Sequence, residues 1–347
     1  MTHPTATPIT ANQLWFTQVR QVEIRPQMLS PVAGEVLVQT YCSAVSAGTE
    51  LLVYRGQLPD NLALDATIVS LQQAPQYPLQ YGYAAVGKVT HIGDGVDAQW
   101  LGKRVFSFAP HASHFVSQPQ DLIPVPDDID DEAAIFLANM ETAVNLVQDG
   151  KPALAERVVV LGQGIVGLLL TAVLARFPLK RLLAVDKVPE RRALAQQLGA
   201  HLALDPDAVA QKQKSEFVDG ADLIYEVSGV PQALNLAIDL SGFASRLVIG
   251  SWYGNKSAPI VLGGAAHRNR LQIITSQVSS IAPELSGRWN KARRFDVAWQ
   301  LIRDLRPERL ISHRLKITEA AGLYERLDKQ LDETSQAIVQ AVFVYPS

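Results

Sequence analysis

The sequence has little of several things. Among its 347 residues there is one cysteine, Cys42, and its charges nearly cancel, with 31 Lys and Arg against 34 Asp and Glu for a formal net charge of -3. A single thiol excludes an intramolecular disulfide framework and any zinc site built from several cysteines, so a metal would have to rest on His and carboxylates. Balanced charge without a basic run gives no footprint for nucleic acid or for an anionic membrane surface. Met1–Asn12 lacks the basic start and apolar run of a secretory signal. With one thiol and no such signal, the cytoplasm is the expected compartment. Long apolar runs are scarce too. Val158–Ala175 carries no charge, but Gly162, Gly164 and Gly167 interrupt it. A strand, a tight turn and a buried helix explain that composition better than a membrane span.

What is present suffices for a large core: 48% of residues are hydrophobic and 19% charged. The length suggests two domains. The first part reads as an irregular, mostly β domain, with short β-type runs at Glu35–Tyr41, Tyr83–Ile92, Arg104–Phe108 and Ser113–Val116 between turn signals. The middle changes period. Apolar runs at Val158–Leu161, Leu182–Val185, Leu223–Val227, Arg246–Ile249 and Leu271–Thr275 alternate with helical patterns at Gly167–Phe177, Pro189–Leu198 and Pro231–Leu240. That alternation predicts a doubly wound parallel α/β sheet covered by helices on both faces. Lys291–Asp304 and Ala320–Lys329 read as helices and Ala337–Tyr345 as a closing strand, while the long, weakly patterned stretch Gly56–Gln80 reads as a surface insertion. The expected domains are 1–147 with 277–347, and 148–276.

Gly162-Gln163-Gly164-Ile165-Val166-Gly167 fits G-x-G-x-x-G and follows an apolar run of β-branched residues. It opens a helical pattern, and Asp186 ends the next apolar run about 20 residues on. The physics is specific. Gly162 permits a tight turn, Gly164 lets backbone approach a pyrophosphate, and Gly167 lets helix and strand pack closely. The helix N-terminus offers free N–H groups to phosphates. Asp186 can bond both hydroxyls of an adenosine ribose and would repel a 2′-phosphate. NAD(H) is therefore preferred over NADP(H), although Lys187, Arg191 and Arg192 lie close by. The bland alternative is that the glycines only turn the chain and Asp186 caps something.

The β-rich start, central nucleotide domain and short return segment resemble the medium-chain dehydrogenase/reductase superfamily, a Rossmann domain inserted into a β-rich GroES-like catalytic domain. Tyr81-Gly82-Tyr83-Ala84-Ala85-Val86-Gly87-Lys88-Val89 is similar to the superfamily's G-H-E-x-x-G-x-V motif, and Leu101-Gly102-Lys103-Arg104-Val105 to its G-D-R-V strand. Val125-Pro126-Asp127 with Ala133-Ala134 resembles the approach to the central domain, and Leu310-Ile311-Ser312-His313-Arg314 the segment that follows it. Ser46-Ala47-Gly48-Thr49-Glu50 and Gly82-Tyr83 look most like the bacteriochlorophyllide hydroxyethyl dehydrogenase branch, whose G-Y-E reads Gly82-Tyr83-Ala84 here. The resemblance implies a homodimer joined through the last strands of the nucleotide domains. It also implies that Thr142 faces the nicotinamide, and that Gly229, Gly250 and Ser251 sit at the cofactor edge.

The pattern breaks at the metal. The resemblance places the superfamily's catalytic zinc ligands at Ala47, Tyr83 and Ala138, and alanine has no donor atom. The four-cysteine structural lobe is missing as well, since the chain passes from Phe106 through His111 to His114. No zinc is expected. His111, His114 and Glu141 form a weak rival set, read here as polar loop residues and a solvated helix end. Without zinc, hydroxyls are left to stabilise a developing oxyanion and move a proton. Thr49 matches the superfamily's relay hydroxyl, and Tyr83 stands where the histidine is lost. Packing, with its hydroxyl on backbone, is the alternative for Tyr83. Glu50 is expected to orient its neighbours, and Glu50, Glu141, Trp252 and Tyr253 are candidates for the substrate side.

These observations predict a zinc-independent, NAD(P)-dependent oxidoreductase interconverting an alcohol and a carbonyl on a bulky or cyclic small molecule. Two other readings stand beside it. One is a zinc-free enoyl or quinone reductase, which the Gly162 loop and Asp186 argue against. The other is a nucleotide-binding protein that has lost catalysis.

Overall fold

The computed structural model describes residues 8–59, 63–64, 72, 74–209, 219–329 and 337–346. The chain divides into two compact units, Met1–Ala138 with Arg306–Glu333 and Gln340–Ser347, and Asn139–Leu305 with Thr334–Val339.

The first unit is built on a seven-stranded sheet whose hub is Val36–Ala44. That strand is buried along most of both faces, as its run of Val, Leu, Cys and Ala requires. It pairs antiparallel with Ala85–Ile92, Gln340–Val344 and His114–Ser117. Ile311–Lys316 lies parallel to Gln340–Val344 at one edge, and Arg104–Ser107 and Ile123–Pro124 complete the other. Val36, Val38, Ala85, Val89, Val105 and Phe115 form an apolar core on this sheet.

The structure corrects the sequence reading in three places here. Ile9–Gln18 and Gln21–Leu29 form an antiparallel hairpin where no element was expected; its Ala11, Leu14 and Phe16 are buried between polar neighbours in sequence. The strand expected from Tyr83 starts at Ala85, because Gly82 turns the chain with φ +132°. The Gly56–Gln80 reading falls partly on 60–62, 65–71 and 73, outside the described residues. Where it is described, Leu58, Leu64 and Leu79 are buried, and Leu79 exchanges backbone hydrogen bonds with Phe16. These three leucines anchor a stretch whose Gly56, Ala63, Gln72, Ala74, Gln76 and Pro78 lie at the surface.

The second unit carries a six-stranded parallel sheet in the order Leu202–Leu204, Arg181–Val185, Arg157–Leu161, Ala221–Glu226, Ser241–Ile249, Gln272–Thr275. Val158–Leu161 is buried at every position, which is why its sequence is a continuous apolar run. Val158–Ala175 is thus strand, turn and helix. The helix runs Ile165–Leu174, earlier than the expected Gly167–Phe177, because Gly164 rather than Val166 holds the extended N-cap backbone. Pro189 opens the helix Pro189–Gln197, and Gly199 ends it in the left-handed region at φ +106°. Among the described residues no helix is long and apolar enough to cross a membrane.

Candidate active site

Two clusters carry the chemistry, one in each unit. In the second unit the glycine loop follows the central strand. Gly162 has φ +94°, and a Cβ there would sit 2.5 Å from Ser228 Cα. A Cβ on Gly167 would fall 2.0 Å from the Gly162 carbonyl oxygen. Strand and helix are therefore as close as glycine alone allows. At Gly164 the space is open, with no atom within 4 Å of an added Cβ. No side chain caps the helix Ile165–Leu174. An open, uncapped N-terminus behind a glycine turn fits a pyrophosphate.

Asp186 is nearly buried beside this loop. Its Oδ2 accepts the Gln163 N–H at 2.6 Å and its Oδ1 the Val188 N–H at 2.8 Å. These bonds fix the carboxylate at the end of Arg181–Val185 and leave each oxygen a further lone pair for a ribose hydroxyl. Asp186 thus also caps, the alternative weighed for it. The Gln163 side chain turns inward, donating to the Val160 carbonyl and accepting from Thr171. Its assignment as a cofactor contact is corrected to a loop brace: the residue is fully buried and its N–H is taken. Ile165 and Val166 are partly buried in the first helical turn, Lys187 is exposed, and Arg192 donates to the carbonyls of Asp186 and Lys187.

Farther along the same sheet edge a buried acid organises the turns. Glu226 ends its strand fully buried and accepts from the Ser228 N–H at 2.7 Å and from the hydroxyls of Ser228 and Tyr253. Ser251 Oγ accepts the Gly229 N–H at 2.8 Å, and Lys256 donates to the Gly229 carbonyl. Gly229, Gly250 and Ser251 therefore belong to one connected strand-end assembly. Burial, with the Glu226 charge next, pushes the Tyr253 phenol well above its ordinary pKa. Trp252 is exposed beside it. Sequence reasoning missed Glu226, although an acid closing a buried apolar strand is a readable signal.

In the first unit the helix Ala47–Tyr54 brings Thr49 and Glu50 into its first turn. Ser46 is its N-cap residue, yet its hydroxyl does not cap. The Thr49 N–H that a capping hydroxyl would take goes to the Ser46 carbonyl at 3.0 Å, and Glu50 accepts the N–H of Ser46 itself at 2.7 Å. The Ser46 hydroxyl is thereby left for Tyr83, with which it is hydrogen bonded, and Thr49 Oγ1 lies 3.3 Å from the same phenol oxygen. Tyr83 and Thr49, selected from sequence, are brought together. The phenol bonds to side-chain hydroxyls, and its ring packs edge-on against Tyr81.

Beneath them lies a buried polar network that the sequence did not disclose. Glu50 and His111 are both fully buried, with His111 Nε2 3.2 Å from Glu50 Oε2. Glu50 also accepts the Tyr324 hydroxyl. His111 Nδ1 lies 2.7 Å from Ser43 Oγ, which reaches the Tyr345 hydroxyl at 2.9 Å. Burial pushes both tyrosines well above their ordinary pKa. A Cβ on Gly82 would stand 3.0 Å from the His111 ring, so the turn before Tyr83 rests on that imidazole.

Three readings are corrected by these partners. His111 does stand in a loop, but it is fully buried there, held by Glu50 and Ser43. Glu141 is not a solvated helix end or a substrate contact: it is 2% exposed and paired with Arg294 at 3.0 Å and with Lys291. Glu50, with no exposed surface, cannot meet a substrate directly. His114 is half-buried on its strand, and burial, with His91 next, lowers its pKa. Among the described residues no three His, Cys, Asp or Glu side chains converge as a metal site. The donor set at Ala47, Tyr83 and Ala138 does not fit zinc either.

The family model for zinc-binding dehydrogenases matches residues 166–295. The (R,R)-butanediol dehydrogenase of Bacillus subtilis is 28% identical over 204 residues, half of this chain and 59% of that protein. The starvation-sensing protein RspB of Escherichia coli is 23% identical over 343 residues, 88% of this chain and 93% of its own. The solved alcohol dehydrogenase RspB from Escherichia coli CFT073, in complex with NADH, superposes with a TM-score of 0.77 at 19% identity over 97% of this chain and 99% of that one. A Rossmann sheet joined to a β-rich unit defines the zinc-type alcohol dehydrogenase-like fold. Residues 166–295 match the zinc-binding dehydrogenase family, and the chain has the fold of the solved alcohol dehydrogenases.

Proposed function

We propose that this protein is an NAD(H)-dependent oxidoreductase that interconverts an alcohol and a carbonyl without zinc, on a bulky or cyclic small molecule. The single observation that carries the reading is the Tyr83 phenol held by the hydroxyls of Ser46 and Thr49, at the position where the superfamily's metal ligand is lost. The relatives that carry dehydrogenase names, one of them solved with NADH, support the nicotinamide and the reaction class.

The second unit supplies the cofactor site: the Gly162–Gly167 loop and helix N-terminus for the pyrophosphate, Asp186 for the adenosine ribose, and the Gly229, Gly250 and Ser251 turns beyond. Thr142 is half-buried on the helix Leu137–Gly150 and faces this half in the reading. The cofactor, when bound, supplies or accepts the hydride. The first unit supplies proton handling. As a carbonyl gains hydride its oxygen becomes an alkoxide, which the Tyr83 hydroxyl stabilises by donation and then protonates. Ser46 and Thr49 hold the phenol oxygen in place and donate to it as it becomes a phenolate. In the alcohol-oxidising direction the same phenolate takes the proton back. Exposed Trp252 beside a strand end supports an apolar, ring-sized substrate. The resemblance adds a homodimer to the proposal, and the single thiol adds cytoplasmic residence.

The test is turnover. Purified protein with NADH is challenged with a panel of cyclic ketones, aldehydes, quinones and enones in the presence of a chelator. Ketone or aldehyde reduction supports the reading. Turnover of enones alone would move it to the enoyl reductases, and firm cofactor binding without any turnover would make the protein a nucleotide binder.

A further inference from the structure

Among the described residues the largest fully buried side chain is a charged one, Arg294. It lies on the helix Lys291–Leu305 and is 0% exposed. Its Nε donates to Glu141 at 3.0 Å, Nη1 to Asn145 and to the Ser280 carbonyl at 3.2 Å, and Nη2 to the Val278 carbonyl. Lys291 repeats the pattern from one turn earlier, bonding Glu141 and, at 3.2 Å, the same Val278 carbonyl. Glu141 and Asn145 stand four residues apart and so share a helix face. Asn145 donates onward to Ser276 at 2.9 Å and to Asp149 at 3.0 Å, and the Ser276 hydroxyl donates to Asp149 at 2.6 Å.

A buried ion pair is weak evidence of stabilisation, since apolar residues of similar volume often serve as well. What this one does is fix backbone. Every residue from Ser276 to Ser280 that it grips directly follows the last parallel strand, Gln272–Thr275. In such sheets the ligand lies beyond the carboxyl ends of the strands. The adenosine half is marked by Asp186, on the strand to one side of the glycine loop. The opposite side, which takes the other mononucleotide half, consists of Ala221–Glu226, Ser241–Ile249 and Gln272–Thr275. Arg294 therefore tethers the outermost chain exit on the nicotinamide side, and through Glu141 and Asn145 it fastens that exit to the helix carrying Thr142.

We propose that Arg294 is a positioning residue for the nicotinamide half of the cofactor: it sets the backbone of Val278–Ser280 against the Thr142 helix and so shapes the wall that the nicotinamide meets. The inference rests on the dinucleotide reading above. Dissociation constants for NADH and for ADP-ribose, which lacks the nicotinamide ring, are measured on the unaltered protein, on Arg294→Met and on Arg294→Lys. The lysine keeps a charge opposite Glu141 but cannot bridge the two carbonyls, so it remains informative if the methionine variant does not fold. NADH binding weakened at least tenfold, with ADP-ribose within twofold of the unaltered protein, is the expected result. NADH binding unchanged, or both ligands weakened alike, would overturn the proposal, the second outcome marking Arg294 as a general support of the unit. Failure of the unaltered protein to bind either ligand would instead remove the dinucleotide reading, and this inference with it.

Discussion

Ser46 and Tyr83 are joined hydroxyl to hydroxyl, while the Ser46 carbonyl takes the Thr49 N–H and Glu50 accepts the N–H of Ser46 itself. A serine at a helix N-cap ordinarily spends its side chain on the backbone. Here the spare hydroxyl braces a phenol instead, with Thr49 3.3 Å from the same oxygen.

Tyr83→Phe removes the proton donor while keeping the ring and its edge-on contact with Tyr81 at 6.1 Å between centroids. Turnover is expected to fall about 10²–10⁴-fold, the usual worth of a positioned general acid. NADH affinity should stay within twofold, since the cofactor residues lie in the other unit. Thr49→Val and Ser46→Ala should each lose less. Steady-state kinetics beside a binding titration checks this; normal turnover in both Tyr83→Phe and Thr49→Val sinks the proposed acid.

Metal removal should change nothing. At the superfamily's ligand positions Ala47 and Ala138 have no donor atoms. Dialysis against a strong chelator is expected to leave turnover intact, and elemental analysis to find far less than one zinc per chain. Activity lost on chelation and restored by Zn²⁺ would reverse the assignment.

The unequal legibility of the two units has a physical cause. A parallel sheet buried on both faces writes itself as apolar runs, and Val158–Leu161, Leu182–Val185 and Leu223–Val227 were readable within a residue or two. The glycine loop and Asp186 were equally plain, because Gly162 and Gly167 each answer a local steric demand. The polar core was not. His111 meets Glu50 across 61 positions and Tyr324 meets Glu50 across 274, and no local period records such pairs. Arg294 carried no signal either, since on an amphipathic helix an arginine reads as solvent-facing until its partners are seen. The hairpin Ile9–Leu29 hid for another reason: its buried Ala11, Leu14 and Phe16 are diluted by polar neighbours.

On the proposed function, cofactor choice turns on Asp186. The unaltered protein should bind NADH more tightly than NADPH. Asp186→Asn keeps an acceptor for the loop N–H of Gln163 but removes the charge that meets a 2′-phosphate. The preference is expected to shrink about tenfold, the equivalent of roughly 1.4 kcal/mol, chiefly through tighter NADPH binding. Paired titrations with the two cofactors read it directly, and tighter NADPH binding by the unaltered protein contradicts the role given to Asp186.

Acid stability offers a separate check in the first unit. Arg314 grips Glu132 through two hydrogen bonds of 2.6 and 2.7 Å and holds its carboxyl below the ordinary glutamate pKa. A carboxylate with a depressed folded pKa adds stability that is present above its unfolded pKa and lost as pH falls through the folded one. The pair is partly exposed, so its worth is about 0.5–1 kcal/mol. Glu132→Gln should therefore be less stable than the unaltered protein at pH 7. The gap should close on acidification through the range just below the ordinary glutamate pKa. Denaturant midpoints at several pH values measure it, and a gap independent of pH would show that the ion pair is not its source.

Glu50 ties these strands of argument together, because stability and chemistry meet in its carboxylate. It is fully buried and accepts from the Ser46 N–H, the Tyr324 hydroxyl and the His111 ring. Glu50→Ala strands those donors without water or partner, and with each orphan costing about 1–3 kcal/mol the total loss should be about 3 kcal/mol or more. Glu50→Gln keeps the shape and one acceptor oxygen and should lose less. If the carboxylate works by fixing Ser46, the glutamine variant will also lose turnover while its NADH affinity holds, since Ser46 is the anchor of the Tyr83 phenol. Equilibrium unfolding and kinetics on the same pair of variants separate the two effects. An Ala variant within about 1 kcal/mol of the parent, the worth of an ordinary hydrogen bond, would show that water enters the network and that Tyr83 is held by something else.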